Sequence, residues 1–164
     1  MPSRAVAVVR LPASVDTDAI VPGTYLRLTN SQILPHLFEN LDPALRDRLG
    51  PGRVIWAGPS FGCGSSRESA AACLKLTGLE AVVAPSFGWI FYRNAVNVGL
   101  PVYRVDEPCP VDDGATIELD ADGGGIAAAG VRLAIRNRQG VAMDILAAGG
   151  LVPYLKDHGG VPDA

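Results

Sequence analysis

Apolar and polar positions alternate with different periods along this chain, and the changes of period mark out its elements. Residues 5–9 form a short β-branched run that predicts a first strand. Residues 14–22 turn from polar to apolar and stop at Pro22-Gly23, which reads as a loop. Residues 31–49 carry helical spacing in short pieces, broken by Pro35 and Pro43. The middle of the chain is clearer. A strand over 53–57 leads through a glycine-rich loop into a helix over 66–77, closed by Gly78 in a left-handed cap. A second strand over 80–84 stops at Pro85. Ser86 is placed to cap a second helix, in which Phe87, Ile90, Phe91, Asn94 and Val98 share one face and Gly99 ends the run. A third strand covers 102–105. Strand, helix, strand, helix, strand implies parallel pairing with right-handed crossovers. Residues 116–119 and 131–135 alternate like two antiparallel strands joined across Asp122-Gly123-Gly124-Gly125. Helices are predicted over 142–148 and 151–158, and residues 159–164 read as a loose end.

A length of 164 residues with 48% hydrophobic content suits one α/β domain covering 1–164, with a central βαβαβ unit in a mixed sheet. The net charge of −3 and scattered Arg and Lys argue against a nucleic-acid partner. No apolar run approaches a membrane span, and the first ten residues read as a strand, lacking the apolar core of a signal peptide. The three cysteines, Cys63, Cys73 and Cys109, are odd in number and widely spaced, and the only histidines are His36 and His158. No metal-ligand spacing is present, and free thiols suit a reducing cytoplasm. Cys73 lies within the predicted alanine-rich helix and reads as a small core residue.

Three segments carry chemistry. The first is Gly62-Cys63-Gly64-Ser65-Ser66-Arg67-Glu68. Its glycines allow a ligand to approach the backbone, and hydroxyls and a guanidinium follow where a helix begins, which suits a carboxylate or phosphate. A structural alternative is a capping box between Ser65 and Glu68. A dinucleotide loop lacks its third glycine and an acid at the end of the second strand; Glu80 stands at that strand's start. A P-loop lacks its Gly-Lys-Ser/Thr, and the nucleophile elbow of serine hydrolases is absent. The second segment is Asp16-Thr17-Asp18, followed by Pro22-Gly23-Thr24-Tyr25-Leu26-Arg27, where Asx turns and a solvated arginine are the structural alternative. The third runs from Pro85 through Phe87, Gly88 and Trp89 to Tyr92-Arg93-Asn94. Its aromatic residues suit a core, and its polar run suits a cleft or interface.

In their order and spacing these segments resemble the small subunit of 3-isopropylmalate dehydratase and, more widely, the swivelling domain of the aconitase superfamily. The likeness lies in residues 16–26, in Phe61 through Glu68, in Ala84-Pro85-Ser86-Phe87 through Ile90-Phe91-Tyr92-Arg93-Asn94, and in the ending Gly150-Leu151-Val152-Pro153-Tyr154. The resemblance implies a swivelling β/β/α fold and a large subunit that carries a [4Fe–4S] cluster, with no cofactor bound by this chain. It implies a hydro-lyase that moves a hydroxyl between neighbouring carbons of a small di- or tricarboxylic acid, isopropylmalate in leucine biosynthesis. By the same resemblance Ser65 takes the substrate proton, Ser66 and Arg67 grip a carboxylate, and Asp18 orients groups in the site. Arg27 reaches the variable end of the substrate. There an arginine suits a distal carboxylate, as in homoaconitate, because an unpaired buried guanidinium is costly. Ser69 and Gly88 depart from the family's pattern, which has a ring side chain and a larger residue at these places. Two rivals stay open at this point: a non-catalytic anion-binding module, in which Ser65 and Glu68 only cap a helix, and a nucleotide-binding domain.

Overall fold

The computed structural model describes residues 3–120, 122, 124–137 and 139–159. Its strands are β1 (Arg4–Arg10), β2 (Arg53–Trp56), β3 (Ala81–Ala84), β4 (Val102–Arg104), β5 (Thr116–Asp120), β6 (Gly125–Ala128) and β7 (Val131–Ala134). They form one curled, mixed sheet in the order β4-β3-β2-β1-β5-β6-β7. The β1–β4 half is parallel, and β1 meets β5 antiparallel to begin a meander. Helices α3 (Glu68–Leu76) and α4 (Trp89–Val98) make the two crossovers predicted from the central pattern. Two one-turn helices, α1 (Thr17–Ile20) and α2 (Asn30–Ile33), precede β2; α5 (Val141–Ala147) and α6 (Leu151–His158) follow β7.

Strand alternation divides the core into two layers. Val9, Ile55, Val82, Ala84 and Val102 face the layer containing Ala70, Leu74, Phe91 and Ala95 from α3 and α4. Val8, Val54, Trp56, Val83 and Tyr103 join Ile117, Leu119, Ile126 and Leu133 from the meander. Side chains on one strand point alternately to opposite faces, so neighbours such as Val54 and Ile55 serve different layers. With both faces covered, β3 is buried at all four positions.

Four expectations from the sequence change. Residues 14–22 are not all loop: Asp16 caps α1, its Oδ1 accepting from Ala19 N at 2.7 Å. The Ser65–Glu68 capping box does not form. Arg67, in extended backbone, is the N-cap of α3 and makes no side-chain capping bond. Gly88, not Ser86, precedes α4; the Ser86 Oγ accepts from Ser60 N at 2.8 Å instead. Finally, β6 lies between β5 and β7, which therefore do not pair. The β6–β7 turn is Ala129-Gly130 with φ of 48° and 77°, the left-handed pair of a two-residue hairpin, which alanine does not advertise. Part of the expected Asp122–Gly125 connection, Gly123, and residues 160–164 of the predicted loose end lie outside the described residues.

The 3₁₀ segment Pro43–Arg48 is tied to the approach to β5 by Arg48, whose Nη2 donates to both Asp113 carboxylate oxygens at 2.5 and 2.6 Å. Asp113 Oδ1 also accepts from Arg10 N at 2.9 Å. The Arg48 hydrogen bonds, then the Arg10 amide, hold the Asp113 carboxyl below its usual pKa. A carboxyl depressed in the folded state stabilises above its unfolded pKa and loses that contribution as pH falls through the folded value. Asp113→Asn is therefore expected to destabilise the protein near neutral pH by less than ~1 kcal/mol, given solvent screening. The difference from wild type should shrink below about pH 4. Urea midpoints at neutral and acid pH check this; a difference that grows with acid would contradict it.

Candidate active site

The loop after β2 is held by backbone on both edges. Phe61 N donates to Ser86 O at 3.1 Å, and Gly88 N donates to Phe61 O at 2.8 Å. On the other edge Gly62 N donates to Val15 O at 2.7 Å and Thr17 N to Cys63 O at 2.9 Å. Isolated parallel bridges pair Asp16 with Cys63 and Phe61 with Phe87. The three segments singled out in the sequence are thus one hydrogen-bonded unit beyond the carboxyl ends of β1, β2 and β3.

This zipper leaves no room for side chains at two positions. Gly62 has φ of 74°, and a Cβ there would fall 2.4 Å from Phe91 Cγ. A Cβ at Gly88 would fall 2.7 Å from Gly62 O and 2.8 Å from Cys63 Cα. The Gly88 departure therefore fits the close approach of these two loops. Phe61, Phe87 and Phe91 pack beneath the unit, Phe61 edge-on to both others.

Ser65 and Ser66 emerge from the zipper exposed, just before α3. Thr17, 1% exposed, anchors the loop by donating from Oγ1 to Ser65 O at 3.2 Å. No backbone N–H from Gly64 through Ser69 donates to another described residue. These unspent donors, at the start of a helix, give the loop a positive local potential.

Arg67 turns inward. Its side chain is 10% exposed; Nη1 donates to Val21 O at 2.8 Å and pairs with Asp18 Oδ1. Nε is buried without a hydrogen-bond partner. A Cβ on Gly23 would stand 3.5 Å from Arg67 Nη2, so the chain leading to Arg27 passes near the guanidinium with room for a methyl group between them. Asp18 is thus brought to Arg67, with its own side chain 58% exposed. Arg27 is exposed in the turn after Tyr25 and forms no ion pair with a described residue. Sequence reasoning missed the anchoring by Thr17 and the Val21 carbonyl. The Asp-Thr-Asp pattern flags Thr17, but only the fold shows that it is buried.

Among the described residues no group of three His, Cys, Asp or Glu could hold a metal ion. Cys63 is exposed, Cys73 buried and Cys109 half-buried, each a free thiol. Burial pushes the Cys73 thiol up to about 11. The donor set present therefore does not fit an iron–sulfur cluster. No helix among the described residues is long and apolar enough to cross a membrane. A cavity of about 440 Å³ lies between Arg4, Lys75, Glu80 and Tyr103, but it opens at the amino ends of the parallel strands, away from Ser65.

Gly88→Ala is expected to cost ~1–3 kcal/mol, the usual range for overpacking. Urea unfolding measures it directly, and a wild-type midpoint would show that the two loops separate freely.

The sequence profile of the aconitase C-terminal domain matches residues 39–106. The 3-isopropylmalate dehydratase small subunit of Saccharolobus solfataricus is 42% identical over 151 residues, covering 91% of this chain and 92% of its own length. The protein named 3-isopropylmalate dehydratase small subunit 2 in Archaeoglobus fulgidus is 41% identical, covering 90% and 91%. The crystal structure of 3-isopropylmalate dehydratase (leuD) from Methanocaldococcus jannaschii superposes with a TM-score of 0.88 at 39% identity, over 96% of this chain and 95% of that one. Joined to the sheet order and the zipped serine loop, this likeness along nearly the whole length shows that the chain belongs to the family of 3-isopropylmalate dehydratase small subunits.

Proposed function

We propose that this chain, acting as one swivel domain, supplies half of the catalytic pocket of a 3-isopropylmalate dehydratase. That hydro-lyase interconverts 2-isopropylmalate and 3-isopropylmalate by dehydration and rehydration in leucine biosynthesis, and a large subunit supplies the other half. The observation that supports the reading is the exposed Ser65, in a loop of unspent N–H donors and two residues before the largely buried Arg67 side chain. The chain does not enclose this point: Cys63, Gly64, Ser65 and Ser66 are all exposed. Trp89, 76% exposed, follows Gly88, whose Cα packs on the same loop. A large exposed aromatic beside a shared site suits a subunit contact.

In this reading the Ser65 oxygen takes the proton alpha to a substrate carboxylate. A serine hydroxyl is a weak base near neutral pH, and its alkoxide form needs nearby positive potential. The open N–H groups at the start of α3 and the Arg67 guanidinium supply that potential. Ser66 and the remaining Arg67 donors bind the carboxylate, Arg67 by a charge-assisted contact. Asp18 holds the guanidinium in place from the solvent side and tempers its charge. The iron–sulfur cluster that the family resemblance implies belongs, in this reading, to the large subunit. A role in amino-acid synthesis and the free thiols support a cytoplasmic location.

One observation favours a second substrate reading. Arg27 is charged and exposed, in the turn that follows the 3₁₀ segment Gly23–Tyr25. A malate-type acid with a distal carboxylate, as in homoaconitate, would pair with it; an isopropyl tail would not.

Ser65→Ala in the reconstituted pair is expected to lower kcat by at least ~10²-fold, the lower end of a general-base contribution, with subunit assembly unchanged. Near-normal specific activity with a lowered unfolding midpoint would instead assign Ser65 a purely structural role. Arg27→Val is expected to move preference toward isopropylmalate over homoaconitate by about tenfold or more in kcat/KM. An unchanged ranking would remove Arg27 from substrate selection.

A further inference from the structure

The turn that carries Arg27 is fastened at one end by a polar cluster that the catalytic reading does not use. Tyr25 closes the 3₁₀ segment Gly23–Tyr25, its N–H donating to Pro22 O at 3.0 Å and its carbonyl accepting from Leu28 N at 3.0 Å. The Tyr25 ring stacks on His36, centroids 3.9 Å apart and planes 17° apart. The Tyr25 hydroxyl donates to Glu39 Oε1 at 3.0 Å, while His36 Nδ1 lies 2.6 Å from Glu39 Oε2. One carboxylate therefore holds both rings. With a carboxylate accepting there, Nδ1 carries the proton of this contact.

The backbone between His36 and Glu39 is committed to this arrangement. Phe38 sits at φ of 59°, a left-handed conformation unfavourable for a bulky residue, yet it is fully buried. Its N–H donates to Ile20 O at 3.0 Å. Burial of the phenyl ring offsets the local strain and turns His36 and Glu39 together toward Tyr25. The Glu39 carboxyl is held below its usual pKa by the hydrogen bond from His36 first and from Tyr25 next. It thus stays an acceptor for both rings near neutral pH.

We infer that Tyr25, His36 and Glu39 form a clasp that positions Arg27, making His36 and Glu39 positioning residues for the end of the substrate that distinguishes one malate-type acid from another. The inference rests on the reading of Arg27 given above and deepens it. Leu26 and Leu28, both exposed, do not anchor the turn from its far side. The chain on the near side is held through Tyr25, two residues before Arg27, and on the far side by the Thr29–Gln32 capping box of α2, whose Thr29 N–H donates to Gln32 Oε1 at 3.0 Å. Loss of the clasp should loosen the turn without altering the Ser65 loop, whose hydrogen bonds involve neither His36 nor Glu39.

The test compares His36→Ala, Glu39→Ala and His36→Phe in the full chain and in the pair reconstituted with its large subunit. Amide hydrogen exchange in the chain alone is expected to quicken about tenfold at Leu26 and Leu28 in the two alanine variants. His36→Phe, which keeps a ring against Tyr25, is expected to restore most of the protection. In the pair, the alanine variants should raise KM for the preferred acid about tenfold and leave kcat within about twofold. Unchanged exchange in both alanine variants overturns the clasp. Faster exchange with unchanged KM also overturns its positioning role, and Arg27→Val tells which premise failed. If Arg27→Val shifts substrate preference, the Arg27 reading stands and the clasp alone is wrong; if it does not, the Arg27 reading falls.

Discussion

Everything functional in this chain depends on the short run Phe61, Gly62 and Cys63 being paired by backbone on both edges. One edge takes Val15 and Thr17; the other takes Ser86 and Gly88. Such pairing satisfies buried backbone groups that would otherwise cost about 1–3 kcal/mol each. It also brings three separate stretches of sequence to one place. The cost falls on residue choice, because Gly62 and Gly88 must each do without a side chain. The zipper ends at Gly64, where the backbone turns out and leaves Ser65 and Ser66 in solvent with their neighbours' N–H groups unspent.

Charge is arranged around that exit in the same economical way. The Arg67 side chain is 10% exposed and paired with Asp18, and its buried Nε has no hydrogen-bond partner. Asp18 and the Val21 carbonyl fix its direction. Gly23, at the start of the turn that bears Arg27, has room for a Cβ 3.5 Å from Arg67 Nη2. The chain leaves the assembly open on the solvent side, which a subunit with its own reactive group can close.

Much of this was legible in the sequence, for reasons that differ by region. The βαβαβ centre could be read because β-branched runs, helical spacing and the terminal glycines Gly78 and Gly99 all agree. The site segments could be read because glycine, hydroxyl and guanidinium together have few structural uses, and because their order resembles a known family. Failures came where tertiary contacts override local signals. Ser65 and Glu68 have capping-box spacing, but the Ser65 carbonyl is held by the Thr17 hydroxyl, Arg67 becomes the N-cap, and α3 starts at Glu68. Ser86 is likewise diverted to Ser60. Strand β6 was hidden because Gly125, Ala127 and Ala128 lack β-propensity and its hairpin uses Ala129-Gly130. The Tyr25–His36–Glu39 cluster has no sequence signature at all, since its spacing becomes meaningful only once Phe38 takes its left-handed turn.

The central claim is that the serine loop is half of a pocket closed by a second subunit. Cys63 lies within that loop and is exposed, whereas Cys73 is buried with its thiol pushed up to about 11 and serves as an internal control. The most direct measurement is the rate of Cys63 alkylation in the isolated chain and in the pair reconstituted with its large subunit, read by mass spectrometry of the labelled peptides. The account predicts rapid labelling of Cys63 alone, at least ~10-fold protection in the pair, and slow labelling of Cys73 in both. Equal Cys63 labelling in the two states, with the pair fully assembled and active, would contradict it.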